Sequence, residues 1–268
     1  MNERLRFSKL AKSYPNKTAI ITGAGSGLGF ALTKRLLDDG WFVFALDIDV
    51  SAFDDFDNEA IHIYQIDVTQ TVVFQTLLKG IIAKSSIDII FNNAGVGEGT
   101  LFTDYPMANW DWIIAINLKA VIAGCSVLLP HFEANKKGMI VNIASAAGFA
   151  NLPKMSPYNV TKAGVIALSE SLANEYANSP VEIKCIAPTF FKSSILEKSR
   201  GKEEVLVKAQ AIVTGAKLSA DDAAQIILHK LTSSAGLIRF PFSSKLIYTV
   251  KRISPKLYSK LVQLFLAD

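Results

Sequence analysis

Short runs of apolar, mostly β-branched or aromatic residues recur along the chain, separated by longer stretches with apolar positions at helical spacing. The runs are TAIIT (18–22), WFVFALD (41–47), IHIYQID (61–67), IDIIFNN (87–93), GMIVNIAS (138–145), VEIKCIAP (181–188) and GLIRF (236–240). Continuous apolar runs of this length predict strands buried on both faces. The intervening stretches 28–39, 69–84, 110–132 and 157–177 predict helices. Strand and helix in alternation predict an α/β fold, a doubly wound parallel sheet of about seven strands with helices on both faces. Gly40 after Asp38 and Asp39 reads as a helix C-cap, and Ser156 before Pro157 as an N-cap with proline at the first helical position. Residues 1–268 read as one domain. The stretch 189–216 breaks the alternation after the sixth strand, where such sheets place a substrate lid, and 241–268 is a C-terminal extension.

Composition narrows the classes. With 268 residues, half of them hydrophobic, the chain can bury one large core. A net charge of +4 without a long Lys/Arg block argues against nucleic acid as a partner. Cys125 and Cys185 sit in apolar surroundings without CxxC spacing, which predicts buried free thiols in a reducing cytoplasm and no metal site. The N-terminal MNERLRFSKLAKSYPNK is polar and basic, unlike a secretory signal, and no run reaches the roughly 18 unbroken apolar residues of a spanning helix. The expectation is a soluble chain, peripheral to a membrane at most.

The turn after the first run is rich in glycine. In AIITGAGSGLG, Gly23, Gly27 and Gly29 fall between a strand and the helix that Gly27 begins. Glycine there permits positive φ, close approach of the backbone to a pyrophosphate and close packing of helix on strand, while the free N–H groups of the helix start face the anion. A ligand-free tight turn would look similar. Asp47, about twenty residues later at the end of the second strand, favours the cofactor reading, because a carboxylate there can accept both ribose hydroxyls of an adenosine. Its charge repels a 2′-phosphate, and Ser26 and Ile48 bring no Arg or Lys to the same ribose, so NAD is expected rather than NADP.

SPYNVTKAG places Tyr158 and Lys162 four apart, on one face of a predicted helix. An ammonium beside a phenol stabilises the phenolate and makes a general acid/base near neutral pH. The pair alone is weak, since composition predicts roughly 0.7 such pairs by chance, and Tyr248 with Arg252 is another.

Order and spacing add what the pair lacks. The chain reads TGxxxGxG from Thr22, NNAG from Asn92, then Asn117, Ser145, Tyr158 and Lys162, followed by a loop at Pro188. In this register it resembles the short-chain dehydrogenase/reductase family, well over residues 17–193 and loosely beyond. The resemblance implies a Rossmann-type fold. It also implies a tetrad in which Tyr158 moves the proton, Ser145 positions the substrate oxygen, Lys162 lowers the tyrosine pKa and holds the nicotinamide ribose, and Asn117 holds a relay water. The implied cofactor set is Gly23, Ser26, Gly27, Leu28, Gly29, Asp47, Asp67, Val68, Asn93, Ala94, Gly95, Tyr158, Lys162, Pro188 and Ser193, with Asn93 also tying neighbouring strands and Asp67 and Val68 on the adenine. The pattern departs at Thr189, where the family usually has glycine, and Ser193 stands in for its threonine.

Together these features predict an NAD-dependent oxidoreductase interconverting a secondary alcohol and a ketone. Phe190, Phe191, Ile195 and Leu196 suggest a hydrophobic substrate. The alternatives are a non-catalytic dinucleotide-binding sensor or scaffold, and an NADP-dependent 3-oxoacyl reductase. Pairing through the two long helices, as in the family, makes a homodimer or homotetramer the expected assembly. In the tail, Lys245, Lys251, Arg252, Lys256 and Lys260 stand against Asp268 alone, with Leu257, Leu261, Leu264 and Phe265 on one helical face. That face is expected to pack on its own subunit or a partner; an anionic membrane is the alternative.

Overall fold

The computed structural model describes residues 8–267. The readings made on the N-terminal residues 1–7 and on Asp268 lie outside the described residues, as does the side chain of Phe265. All seven apolar runs form strands: β1 Thr18–Thr22, β2 Phe42–Asp47, β3 Ile61–Gln65, β4 Ile89–Asn92, β5 Gly138–Ile143, β6 Val181–Pro188 and β7 Leu237–Phe240. They make one parallel sheet in the order β3-β2-β1-β4-β5-β6-β7. The helices are α1 Ser8–Ser13, α2 Gly27–Asp38, α3 Thr71–Ile82, α4 Met107–Ile114, α5 Ala120–Ala134, α6 Ala147–Ala150, α7 Ser156–Glu175, α8 Glu203–Thr214, α9 Ala220–Lys230, α10 Phe242–Ile253 and α11 Pro255–Ala267. Leu32 and Leu36 of α2 and Ile227 of α9 join a core on one face of the sheet; Phe74 of α3, Leu128 of α5 and Val165 of α7 join one on the other. Burial on both faces explains the continuous apolar runs of β1, β2, β4 and β5. The edge strands β3 and β7 are less fully buried than the central ones.

Strand order reverses between β1 and β4, so the loops leaving their carboxyl ends diverge and open a crevice. Gly23 to Gly29 leaves β1 and Asn93 to Gly95 leaves β4, placing both motifs on that crevice.

Two local expectations are corrected. Helix α7 begins at Ser156, with Met155 at its N-cap in extended φ, so Ser156 is the first helical residue and its side chain caps nothing. The stretch read as one helix over 110–132 runs from 107 to 134, and a π-turn at Ala115–Lys119 interrupts its α-helical bonding. By length and composition this helix could cross a membrane. Its apolar positions are used otherwise: Val121, Leu128 and Phe132 pack on the sheet. Gly40, with φ of +74°, closes α2 by donating to the Leu37 carbonyl, as its place after Asp39 suggested.

Candidate active site

The crevice widens into a cavity of about 850 Å³. At one end lies the glycine loop. Gly23 and Gly27 have positive φ of +66° and +50°, and a side chain on Gly23 would strike the Ala94 backbone. No side chain caps the first turn of α2, so its leading N–H groups are left for an anion. Ser26 and Leu28 also line the cavity there. Gly29 stands behind them: a Cβ on it would fall 1.9 Å from the Gly23 carbonyl oxygen, so this glycine lets α2 pack against the loop.

Asp47 is buried at the cavity wall. Its Oδ2 accepts the Gly25 N–H at 2.7 Å and its Oδ1 the Asp49 N–H at 3.1 Å, which ties β2 to the glycine loop and places a carboxylate at the cavity wall. Asp67 and Val68 line the same end, Asp67 held by accepting from Thr69. Asn93 donates to the carbonyls of Thr22 and Gly23, joining the ends of β1 and β4 as expected. Ala94 and Gly95 form the floor; a Cβ on Gly95 would lie 3.3 Å from the Lys162 Nζ.

Ser145, Tyr158, Lys162 and Pro188 also line the cavity, while Ser193 lies against the glycine loop, 3.9 Å from where a Cβ on Gly27 would fall. Ser145 leaves β5 just before α6, and one turn of α7 separates Tyr158 from Lys162. Burial pushes the Tyr158 phenol up to about 12, against a lowering hydrogen bond with Ser145. The same burial pushes Lys162 down to about 8. Lys162 Nζ donates to the Ile143 carbonyl at 2.9 Å and lies 5.7 Å from the Tyr158 ring centre. Desolvation is thus the largest influence on the Tyr158 phenol and raises it above its ordinary range.

Asn117 is fully buried, within the π-turn, and does not line the cavity. Its Oδ1 accepts the Val96 N–H and its Nδ2 donates to the Val96 carbonyl, both at 2.9 Å, with a further bond to Thr161. The side chain thus clamps the backbone at Val96, just after the end of β4.

The segment after β6 crosses the glycine loop closely enough that a Cβ on Gly27 would lie 2.9 Å from Ser194 Oγ. It then pairs Arg200–Gly201 with Glu98–Gly99. Phe190, Phe191, Ile195 and Leu196 all line the cavity. Thr189 does not adopt positive φ; its N–H donates to the Phe240 carbonyl and its hydroxyl meets Ser243 of α10, so the missing glycine costs no backbone strain.

Sequence reasoning missed three contributors. Glu98 lines the cavity with a buried carboxyl, and burial raises it to about 7 against the lowering effects of the nearby Asn109 and Arg200. A buried relay runs from Asn92 Nδ2 to Asn142 Oδ1 and from Asn142 Nδ2 to Ser169 Oγ beneath the site. The extension braces the segment after Ser145: Lys251 donates to the Phe149 carbonyl and Tyr258 to that of Ala150, both at 2.6 Å. Only Asn92 belonged to a motif; the others carry no local signal.

Comparison with known proteins agrees with this geometry. The family described as short chain dehydrogenase matches residues 17–204. The chain is 30% identical over 221 residues to the 3-oxoacyl-(acyl-carrier-protein) reductase FabG of Thermotoga maritima, covering 79% of this chain and 89% of that one. Among solved structures it resembles a short chain dehydrogenase/reductase from Burkholderia phymatum in complex with NAD, with TM-score 0.84 and 24% identity over 91% of this chain and 96% of that one. It also resembles the closed form of a serine dehydrogenase complexed with NADP+, with TM-score 0.76 and 22% identity over 84% and 95% of the two chains. At these identities the solved structures share the fold.

Proposed function

The chain belongs to the short-chain dehydrogenase/reductase family of oxidoreductases, and from that premise we propose that it interconverts a secondary alcohol and a ketone on a hydrophobic substrate with NAD(H). The observation that carries this reading is the convergence of Ser145, Tyr158 and Lys162 on a cavity whose opposite end is built by the glycine loop and Asp47. The bare backbone at Gly23, the uncapped start of α2 and the Asp47 carboxylate fit a dinucleotide with an unmodified ribose. When bound, the nicotinamide supplies or takes up the hydride.

The chain's own residues handle the proton. With its pKa raised by burial, Tyr158 is protonated at neutral pH and donates from Oη to the substrate carbonyl oxygen, which Ser145 Oγ holds. The resulting phenolate forms beside the Lys162 ammonium, in surroundings of low dielectric where an adjacent cation stabilises it strongly. Asn117 acts by position, fixing Val96 and with it the floor at Gly95. The apolar side chains of 189–216 form the lid that excludes water.

Similarity to a relative whose name states 3-oxoacyl reduction keeps that substrate class as the second reading. Fluorescence titration with NADH and NADPH, followed by turnover of long-chain ketones, cyclic ketones and 3-oxoacyl thioesters, separates the two. NADH preference of at least tenfold with ketone turnover, abolished in Tyr158→Phe with NADH binding retained, is the expected result. NADPH preference with thioester turnover favours the second reading, and binding without any turnover a sensor.

A further inference from the structure

The C-terminal extension has two faces. Towards the body, Tyr248 and Lys251 of α10 and Tyr258 of α11 all meet the short helix α6. Away from it, each helix presents an apolar stripe. On α10, Phe242, Leu246 and Ile253 are spaced four and seven residues apart, which brings them within about 40° of one another around the axis, and Phe242 and Ile253 are 76% and 79% exposed. On α11, Leu257, Leu261 and Leu264 follow the same rule, Leu264 being 66% exposed. Because both inner faces converge on α6, both stripes turn outward.

Charge is as one-sided as hydrophobicity. Residues 241–267 hold five cations and no acid. Lys251 faces inward. Lys245, Arg252, Lys256 and Lys260 are exposed, and among the described residues none is in an ion pair with a carboxylate. Leucine and phenylalanine stripes bordered by unpaired cations match the interface of an anionic bilayer, where apolar side chains enter the acyl boundary and cations meet lipid phosphates. A second copy seated on the same patch would bring these cations against their own counterparts, which costs free energy rather than gaining it.

We infer that α10 and α11 form a monotopic membrane-binding surface for anionic lipid. Ile247, on α10 beside Leu246, lines the cavity, so the surface adjoins the wall of the site. The inference rests on the extension and does not depend on the reaction.

The test is co-sedimentation of the full chain with vesicles of phosphatidylcholine alone and with about one third phosphatidylserine. Sedimentation with the anionic vesicles only, weakened at least tenfold by 0.5 M salt, about the factor expected from screening several cations, is the expected outcome. Lys256→Glu/Lys260→Glu and Leu257→Ser/Leu261→Ser should each reduce partitioning roughly tenfold or more. These positions are exposed, so thermal unfolding is expected to stay unchanged and to separate lost binding from lost folding. No difference between the two vesicle types overturns the inference. So does a concentration-dependent dimer in analytical ultracentrifugation that Leu257→Ser/Leu261→Ser dissolves, with no sedimentation on vesicles.

Discussion

Replacement of Asn117 by alanine tests the site's architecture most sharply. Asn117 is 0% exposed and makes three hydrogen bonds, two of them to the N–H and C=O of Val96. Alanine would leave both Val96 groups, themselves buried, without partners. Each orphaned buried backbone group costs about 1–3 kcal/mol, so the loss is roughly 4 kcal/mol. In a chain of this size that lowers Tm by roughly 8–15 °C. Differential scanning fluorimetry reads this directly. Because Val96 follows Gly95 on the cavity floor, NADH affinity measured well below the lowered Tm should fall as well. Asn117→Asp should be no milder, since a carboxylate oxygen would then face the Val96 carbonyl. If Asn117→Ala instead kept the wild-type Tm within 2 °C and wild-type NADH affinity while kcat alone fell, the clamp reasoning would be refuted and a water-holding role favoured.

Three further outcomes follow from the geometry. Asp47→Ser keeps an acceptor near the Gly25 N–H but removes the charge, so the NADH-over-NADPH binding ratio should collapse from at least tenfold to within about threefold, a shift of roughly 0.7 kcal/mol or more; an unchanged ratio would mean that Asp47 does not discriminate. Glu98, with a folded-state pKa raised to about 7, holds its proton more tightly folded than unfolded, so the wild type loses stability as pH rises from about 4.5 to 7 and then levels off. Glu98→Gln cannot ionise and escapes that loss; its Tm advantage should be larger at pH 8 than at pH 5, and an equal difference at both would show a solvated carboxyl. Gly29→Ala should unfold the loop and abolish NADH binding, because its Cβ meets backbone at 1.9 Å, whereas Gly80→Ala, on an exposed helical position with nothing within 4 Å, should stabilise by about 0.5–1 kcal/mol in urea unfolding.

The sheet was legible because burial on both faces writes itself into consecutive residues, and seven apolar runs became seven strands without exception. The candidate cofactor and acid/base residues come together for a related reason. Gly23, Asp47, Ser145, Tyr158 and Lys162 each sit at a strand end or on one helical turn, where spacing along the chain fixes spacing in space. Element ends were less legible, as Met155 rather than Ser156 at the N-cap of α7 shows, since a cap depends on the backbone angle of one residue.

Long-range placement decided the rest. Asn117 and Val96 are 21 residues apart and Tyr258 and Ala150 are 108 apart; no local pattern announces either bond. Gly29 belongs to a ligand-binding motif by spacing, yet only the fold shows that its missing side chain makes room for the Gly23 carbonyl. The helix 107–134 is long and apolar enough to cross a membrane, yet Val121, Leu128 and Phe132 pack on the sheet; in the extension only the inner face meets α6. By itself, then, the sequence determined the periodicities and motif spacings that set the strands, their crossovers and the candidate site residues, because these arise from neighbours along the chain. Tertiary structure decided the desolvation of Tyr158, the clamp on Val96 and the face of the tail that meets α6, because burial and hydrogen-bond partners are supplied by residues far away in sequence.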